Sequence, residues 1–203
     1  MKTLREIDTT SKRATRGAGF SWGIAEEVGK NMRLLELYGL PGIKNLNKFL
    51  KDYKESQYQK ITLITDTNNA NKHPFCPIIL GTNFIDQVNL LNKKNKIQIS
   101  NVAFPILFLP FVSRASEILG KRIYIKLDEK EFVLNFNQSI TSNYSKNEIW
   151  ENANIISITF LENVNSFNDS EWIEMTKFAN ETFVEENDEL KEKSAGAGLT
   201  DND

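Results

Sequence analysis

Glycine gathers into two short words near the two ends of this 203-residue chain, and that placement constrains the fold more than any other feature. Five of the ten glycines lie in them. The first word reads Arg16-Gly17-Ala18-Gly19-Phe20-Ser21-Trp22-Gly23-Ile24-Ala25-Glu26-Glu27, and the second Ala195-Gly196-Ala197-Gly198-Leu199-Thr200-Asp201-Asn202-Asp203. Glycine loses more freedom on folding than any other residue, so Gly-x-Gly is kept where backbone turns sharply or approaches something closely. The expectation is that the two words meet and wall one concave, charge-lined niche.

Charge supports that expectation. Up to Lys60 there are twelve Lys and Arg against seven Asp and Glu, a balance of +5; from Glu162 onward there are three against twelve, a balance of −9. An acidic end folding back on a basic start is the simplest outcome, and it leaves no uncompensated basic face for nucleic acid. The longest apolar run, residues 102–112, is about half of what a membrane-spanning helix needs. Pro105 and Pro110 interrupt it, so a buried segment is expected and a membrane is not. The start of the chain has no apolar signal region. The single cysteine, Cys76, excludes an internal disulfide framework and fits a reducing cytoplasm.

Apolar spacing predicts helices over residues 4–16, 22–38 and 43–53, with Ser21 capping the second and Gly39 ending it. Strand patterns follow at 60–65 and 97–103, then a hairpin of 122–127 with 131–136, and a strand at 155–161. Residues 66–77 read as a polar loop and 77–91 as strand-like 78–80 before a helix. A buried helix over 105–119 would be kinked or split at Pro110. A last helix, 169–184, is capped by Asn168 or Asp169 and expected to bury Trp172, Met175, Phe178, Ala179 and Phe183. The whole is one α+β domain over 1–203: a helical subregion (1–55), a mainly antiparallel sheet core (56–165), a C-terminal helix (166–193) and a glycine/aspartate tail (194–203).

The two words, with Cys76-Pro77 and Leu107-Phe108-Leu109-Pro110-Phe111 between them, resemble an uncharacterised bacterial family known only as a domain of unknown function. The resemblance implies that Asp203 is the natural terminus. It carries no activity and no catalytic residue.

Two classes of function stand. In the first, the chain is a cytoplasmic enzyme or metabolite-binding domain for an anionic carboxylate or phosphate. Arg13, Arg16, the backbone of Gly17 and Gly19, Ser21 and Trp22 would hold the anion at the second helix's N-terminus. Glu26 or Glu27 would act as acid or base, Asp201 and Asp203 would close the pocket, and Cys76 would lie nearby with His73 as its base. The word is neither a Rossmann fingerprint, because it follows a helix, nor a P-loop, because it lacks Gly-Lys-Ser/Thr. One His and one Cys make no zinc site of the usual kind, and the sequence names no cofactor. In the second class, the chain is a non-catalytic accessory subunit whose glycine-rich ends dock on a partner enzyme, or a homo-oligomer. Gly29, in the middle of a helix, implies a close neighbour, with the glycine tail as one candidate.

Overall fold

Three helices open the chain where apolar spacing and caps place them: α1 (Leu4–Gly17), α2 (Trp22–Leu37) and α3 (Gly42–Lys51). Thr3 and Glu6 form a reciprocal capping box at α1, and Ser21 caps α2 by accepting the Ile24 N–H. The computed structural model describes residues 2–144 and 147–182. Gly29 is the contact point of the α1–α2 pair. A Cβ there would stand 2.6 Å from Asp8 Oδ1 and 2.8 Å from the Asp8 carbonyl, so its close neighbour is α1.

A six-stranded sheet follows, in the order β1-β2-β6-β3-β4-β5. Its strands are β1 (Thr67–Asn69), β2 (Ile97–Ala103), β3 (Ile123–Leu127), β4 (Lys130–Asn135), β5 (Ser139–Ser142) and β6 (Asn152–Phe160). Among the described strands, only β1 and β2 pair in parallel; every other neighbour is antiparallel. Alternation sends Ile97, Ile99, Ile123, Ile125, Leu127, Ile156 and Ile158 to one fully buried face. That face meets α6 (Leu109–Leu119), which packs on β3 and β4 and on α4 (Pro77–Asp86); α2 packs in turn on α4 and α6. A short helix, α5 (Val88–Leu91), follows α4. The architecture is α+β, and α6 is buried around most of its circumference.

Several local expectations change. Residues 60–65 form no strand, because side chains of α4 and its C-cap take their backbone hydrogen bonds: Asn83 donates to the Ile61 carbonyl, Gln87 donates to the Thr62 carbonyl and accepts from the Ile64 N–H. Strand-like 78–80 is instead the first turn of α4, with Pro77 at its start. Pro110 does split the 105–119 segment: a 3₁₀ turn at Pro105–Leu107 precedes α6, and Pro110 sits in the first turn of α6. The polar edge strand β5 was not expected.

The chain divides into two units, Met1–Asn163 and Val164–Asp203. The first holds the helical subregion and the sheet around one core. The second, described by itself, contains α7 (Asp169–Asn180), with an Asn168–Glu171 capping box. Trp172, Met175, Phe178 and Ala179 are exposed rather than buried: among the described residues of this unit, α7 has no second helix or strand to cover them. Phe183 lies outside the described residues.

Candidate functional site

The first glycine word is the corner between α1 and α2. Gly19 makes the turn with φ +102°, which a side chain rarely allows, whereas Gly17 and Gly23 are helical and face open space. The turn is fixed by hydrogen bonds from the Gly19 N–H to the Arg16 carbonyl (3.0 Å) and from Phe20 N–H to Thr15 (3.4 Å). Phe20 is swallowed by the core, with its ring centroid 4.7 Å from Tyr53 and 6.4 Å from Phe49.

Arg16 bends over this corner. Its Nη1 donates to the Phe20 carbonyl at 2.9 Å, and the guanidinium stands 5.5 Å from the Trp22 ring centroid. Trp22 itself is 56% exposed. Arg13 is exposed on α1. The Ser21 hydroxyl faces Ile24 N–H at 3.4 Å, so its first duty is helix capping.

Neither carboxylate lies in the first turn of α2. Glu26 pairs with Lys12 at 3.5 Å. Glu27 is half-buried and accepts from Lys30 at 2.9 Å and from Arg114 of α6. Burial raises the Glu27 pKa, but Lys30 and Arg114 outweigh it and hold the carboxyl below its usual range. A carboxylate fixed in its ionised form by two cations makes a poor proton shuttle. Sequence reasoning missed Arg114. Its signal was a lone cation inside an otherwise buried helix, which needs an acidic partner.

Cys76 is the N-cap residue of α4 and is buried. Burial pushes its thiol up to about 11, against the opposing pull of the Ile79 and Ile78 N–H groups. It is therefore a protonated, packed thiol at neutral pH. His73 is exposed, and no hydrogen bond joins the two.

Two concavities flank the corner. A cleft of about 340 Å³ is lined by Gly19, Ser21, Ile24, Tyr53, Glu55 and Lys60, with Lys60 paired to Glu55. An apolar groove of about 640 Å³ runs between α1 and α3, walled by Ser11, Ala14, Gly17, Ala18, Leu46 and Leu50. The structure thus brings Gly19 and Ser21 to one cleft and Arg16 beside Trp22. Cys76 and Glu27 are bound into the packing of α4 and α6. Asp201 and Asp203 lie outside the described residues. Among the described residues, no three His, Cys, Asp or Glu side chains stand together for a metal, and no helix is long and apolar enough to cross a membrane.

Residues 3–76 match the model of a family described as "Protein of unknown function (DUF3726)". The stretch takes in α1 to α3, the glycine corner and the segment up to Cys76, and it bears out the resemblance to a domain-of-unknown-function family there. The second glycine word lies beyond it. No curated protein and no solved structure matches the chain.

Proposed function

We propose that the chain is a non-catalytic accessory subunit that docks on a partner protein through the Arg16–Trp22 corner. One observation carries this reading: Trp22 is 56% exposed at a rigid turn, with Arg16 held over its ring. Trp and Arg are the side chains that dominate interface hot spots, and a fixed turn lowers the ordering cost of binding. The apolar groove beside the corner extends the surface. The candidate acid–base and nucleophilic groups have structural partners instead: Glu26 with Lys12, Glu27 with Arg114, and Cys76 with the core.

A second reading rests on the cleft at Gly19, Ser21 and Lys60, where an anionic metabolite would meet the N-terminus of α2. One experiment separates the two. The full chain is affinity-purified from the cells that make it, alongside Trp22→Ala, and each is then screened by thermal shift against inorganic phosphate, citrate and magnesium. Docking predicts a stoichiometric partner by native mass spectrometry, lost in Trp22→Ala, with no shift from the small molecules. A phosphate or citrate shift abolished by Lys60→Ala, with the same partners on both proteins, overturns it in favour of the metabolite.

A further inference from the structure

Where β2 ends and β6 begins, two non-glycine residues adopt left-handed backbone: Asn101 (φ 54°) and Phe104 (φ 42°). Phe104 also precedes Pro105, a position that favours extended backbone, so its geometry is held against local preference. Long-range bonds hold both. The Asn101 carbonyl accepts from Phe75 N–H at 2.8 Å, and Phe104 N–H donates to the Glu151 carbonyl at 2.9 Å. Conformations of this kind gather at ligand clamps, where the surrounding fold over-determines them.

Asn101 and Phe104 both line one cleft of about 440 Å³, within the usual ligand-pocket range of roughly 300–1,000 Å³. Its polar lining is unusual in kind. Gln57, Asn101 and Asn152 contribute three carboxamides, none of which hydrogen-bonds to another described residue. Asp52 and Glu151 add carboxylates, and Lys48 is the one cation among the described residues of the lining. That cation is already engaged, with its Nζ 2.8 Å from Asp52 Oδ2. An anion would find no free positive charge here and would meet Glu151. A cation would meet only Glu151, a single exposed carboxylate that holds it weakly, since Asp52 is taken by Lys48.

Tyr58 supplies a fixed aromatic wall, its ring stacked on Tyr53 at 15° and 5.6 Å. Carboxamides both donate and accept, as hydroxyl groups do, and carboxylates accept from hydroxyls without requiring a charge on the ligand. An aromatic wall suits the C–H face of a ring. We propose that this cleft binds a neutral polyhydroxylated molecule about the size of one sugar ring. Asn101, Asn152 and Gln57 pair with its hydroxyls, Glu151 accepts from one of them, and Tyr58 covers its apolar face. The proposal stands independently of the docking reading.

The test is saturation-transfer NMR on the full chain with methyl glucoside, methyl galactoside, methyl mannoside and xylose at millimolar concentration. Two variants remove single carboxamides: Asn152→Ala, and Asn101→Gly, whose backbone accepts the left-handed conformation without strain. Transfer to at least one of the four sugars is expected, with affinity reduced about fivefold in each variant, as for loss of one neutral hydrogen bond. Unchanged melting of the variants separates this loss from unfolding. No transfer to any of the four overturns the proposal, as does transfer unaffected by both substitutions. Binding of inorganic phosphate instead, abolished by Lys48→Ala, overturns it as well.

Discussion

Replacing Gly29 by alanine sets two opposed effects against each other at the joint that carries the glycine corner. In favour of the substitution, alanine is better than glycine inside a helix by about 1 kcal/mol. Against it, the new Cβ would stand 2.8 Å from the Asp8 carbonyl, 2.6 Å from Asp8 Oδ1 and 3.2 Å from Lys12 Cβ. The carboxylate can swing away, but the carbonyl is part of the α1 backbone. Comfortable separations are about 3.5 Å, so α1 must retreat by roughly half an ångström or more. Overpacking costs about 1–3 kcal/mol, and a clash with backbone that cannot swing aside belongs in the upper part of that range, about 2–3 kcal/mol. Steric cost therefore exceeds the propensity gain, and a net loss of about 1–2 kcal/mol is expected. At about 2–4 °C per kcal/mol for a chain of this size, Gly29→Ala melts roughly 2–8 °C below the wild type. The matched control is Gly23→Ala, in the same helix with nothing within 4 Å of its Cβ. It gains propensity alone, at most about 1 kcal/mol because it lies in the first turn, and its melting temperature should rise by up to about 4 °C. Circular dichroism at 222 nm reads both. If Gly29→Ala melts at or above the wild type, α1 does not lie against this position, and the corner built on that contact loses its support.

Three further outcomes follow from the packing. Cys76 should resist iodoacetamide in the native chain and react once urea unfolds it. Because its folded pKa is raised from 9.0 to about 11, native stability should also fall as pH climbs from 9 towards 11, where only the unfolded thiol ionises; a native thiol that labels at the unfolded rate would refute the burial argument. Glu27 has a lowered pKa, so its pairing contributes above the unfolded value of 4.5 and is lost as pH falls below it; Arg114→Met should lower stability at pH 7 and flatten the acid limb of the denaturation curve, and an unchanged limb would deny the pairing. Asn31 is completely buried, with both amide atoms unpartnered, so Asn31→Leu should raise stability by about 1 kcal/mol in urea titrations, and a lower midpoint would mean that something satisfies the amide.

What was legible in the sequence was local. Ser21, Asn168 and Gly39 announce helix ends through their own side chains or φ, and the hairpin of β3 and β4 shows in its alternation. What was not legible depends on partners far along the chain. Residues 60–65 have strand composition, yet Asn83 and Gln87, twenty or more positions away, take their hydrogen bonds and leave no ladder to form. Gly29 demanded a close neighbour, and only the α1–α2 packing names it. The apolar residues of α7 have helical spacing, which specifies a face and says nothing of what covers it.

The same division governs the site. A glycine word beside arginines and a serine reads as an anion cradle when each residue is weighed alone. In three dimensions only Gly19 uses its glycine freedom, Arg16 closes on the Phe20 carbonyl, and Ser21 caps Ile24. Arg16, Gly19 and Ser21 have first been recruited to make the turn, while Arg13 stays exposed on α1. The large aromatic side chain that the turn leaves exposed is Trp22. Singly exposed apolar side chains are ordinary on a monomer; what sets Trp22 apart is the Arg16 guanidinium held over its ring at a turn fixed by hydrogen bonds. It is what a preformed contact point requires, because the ordering that binding would otherwise demand is already done in the fold.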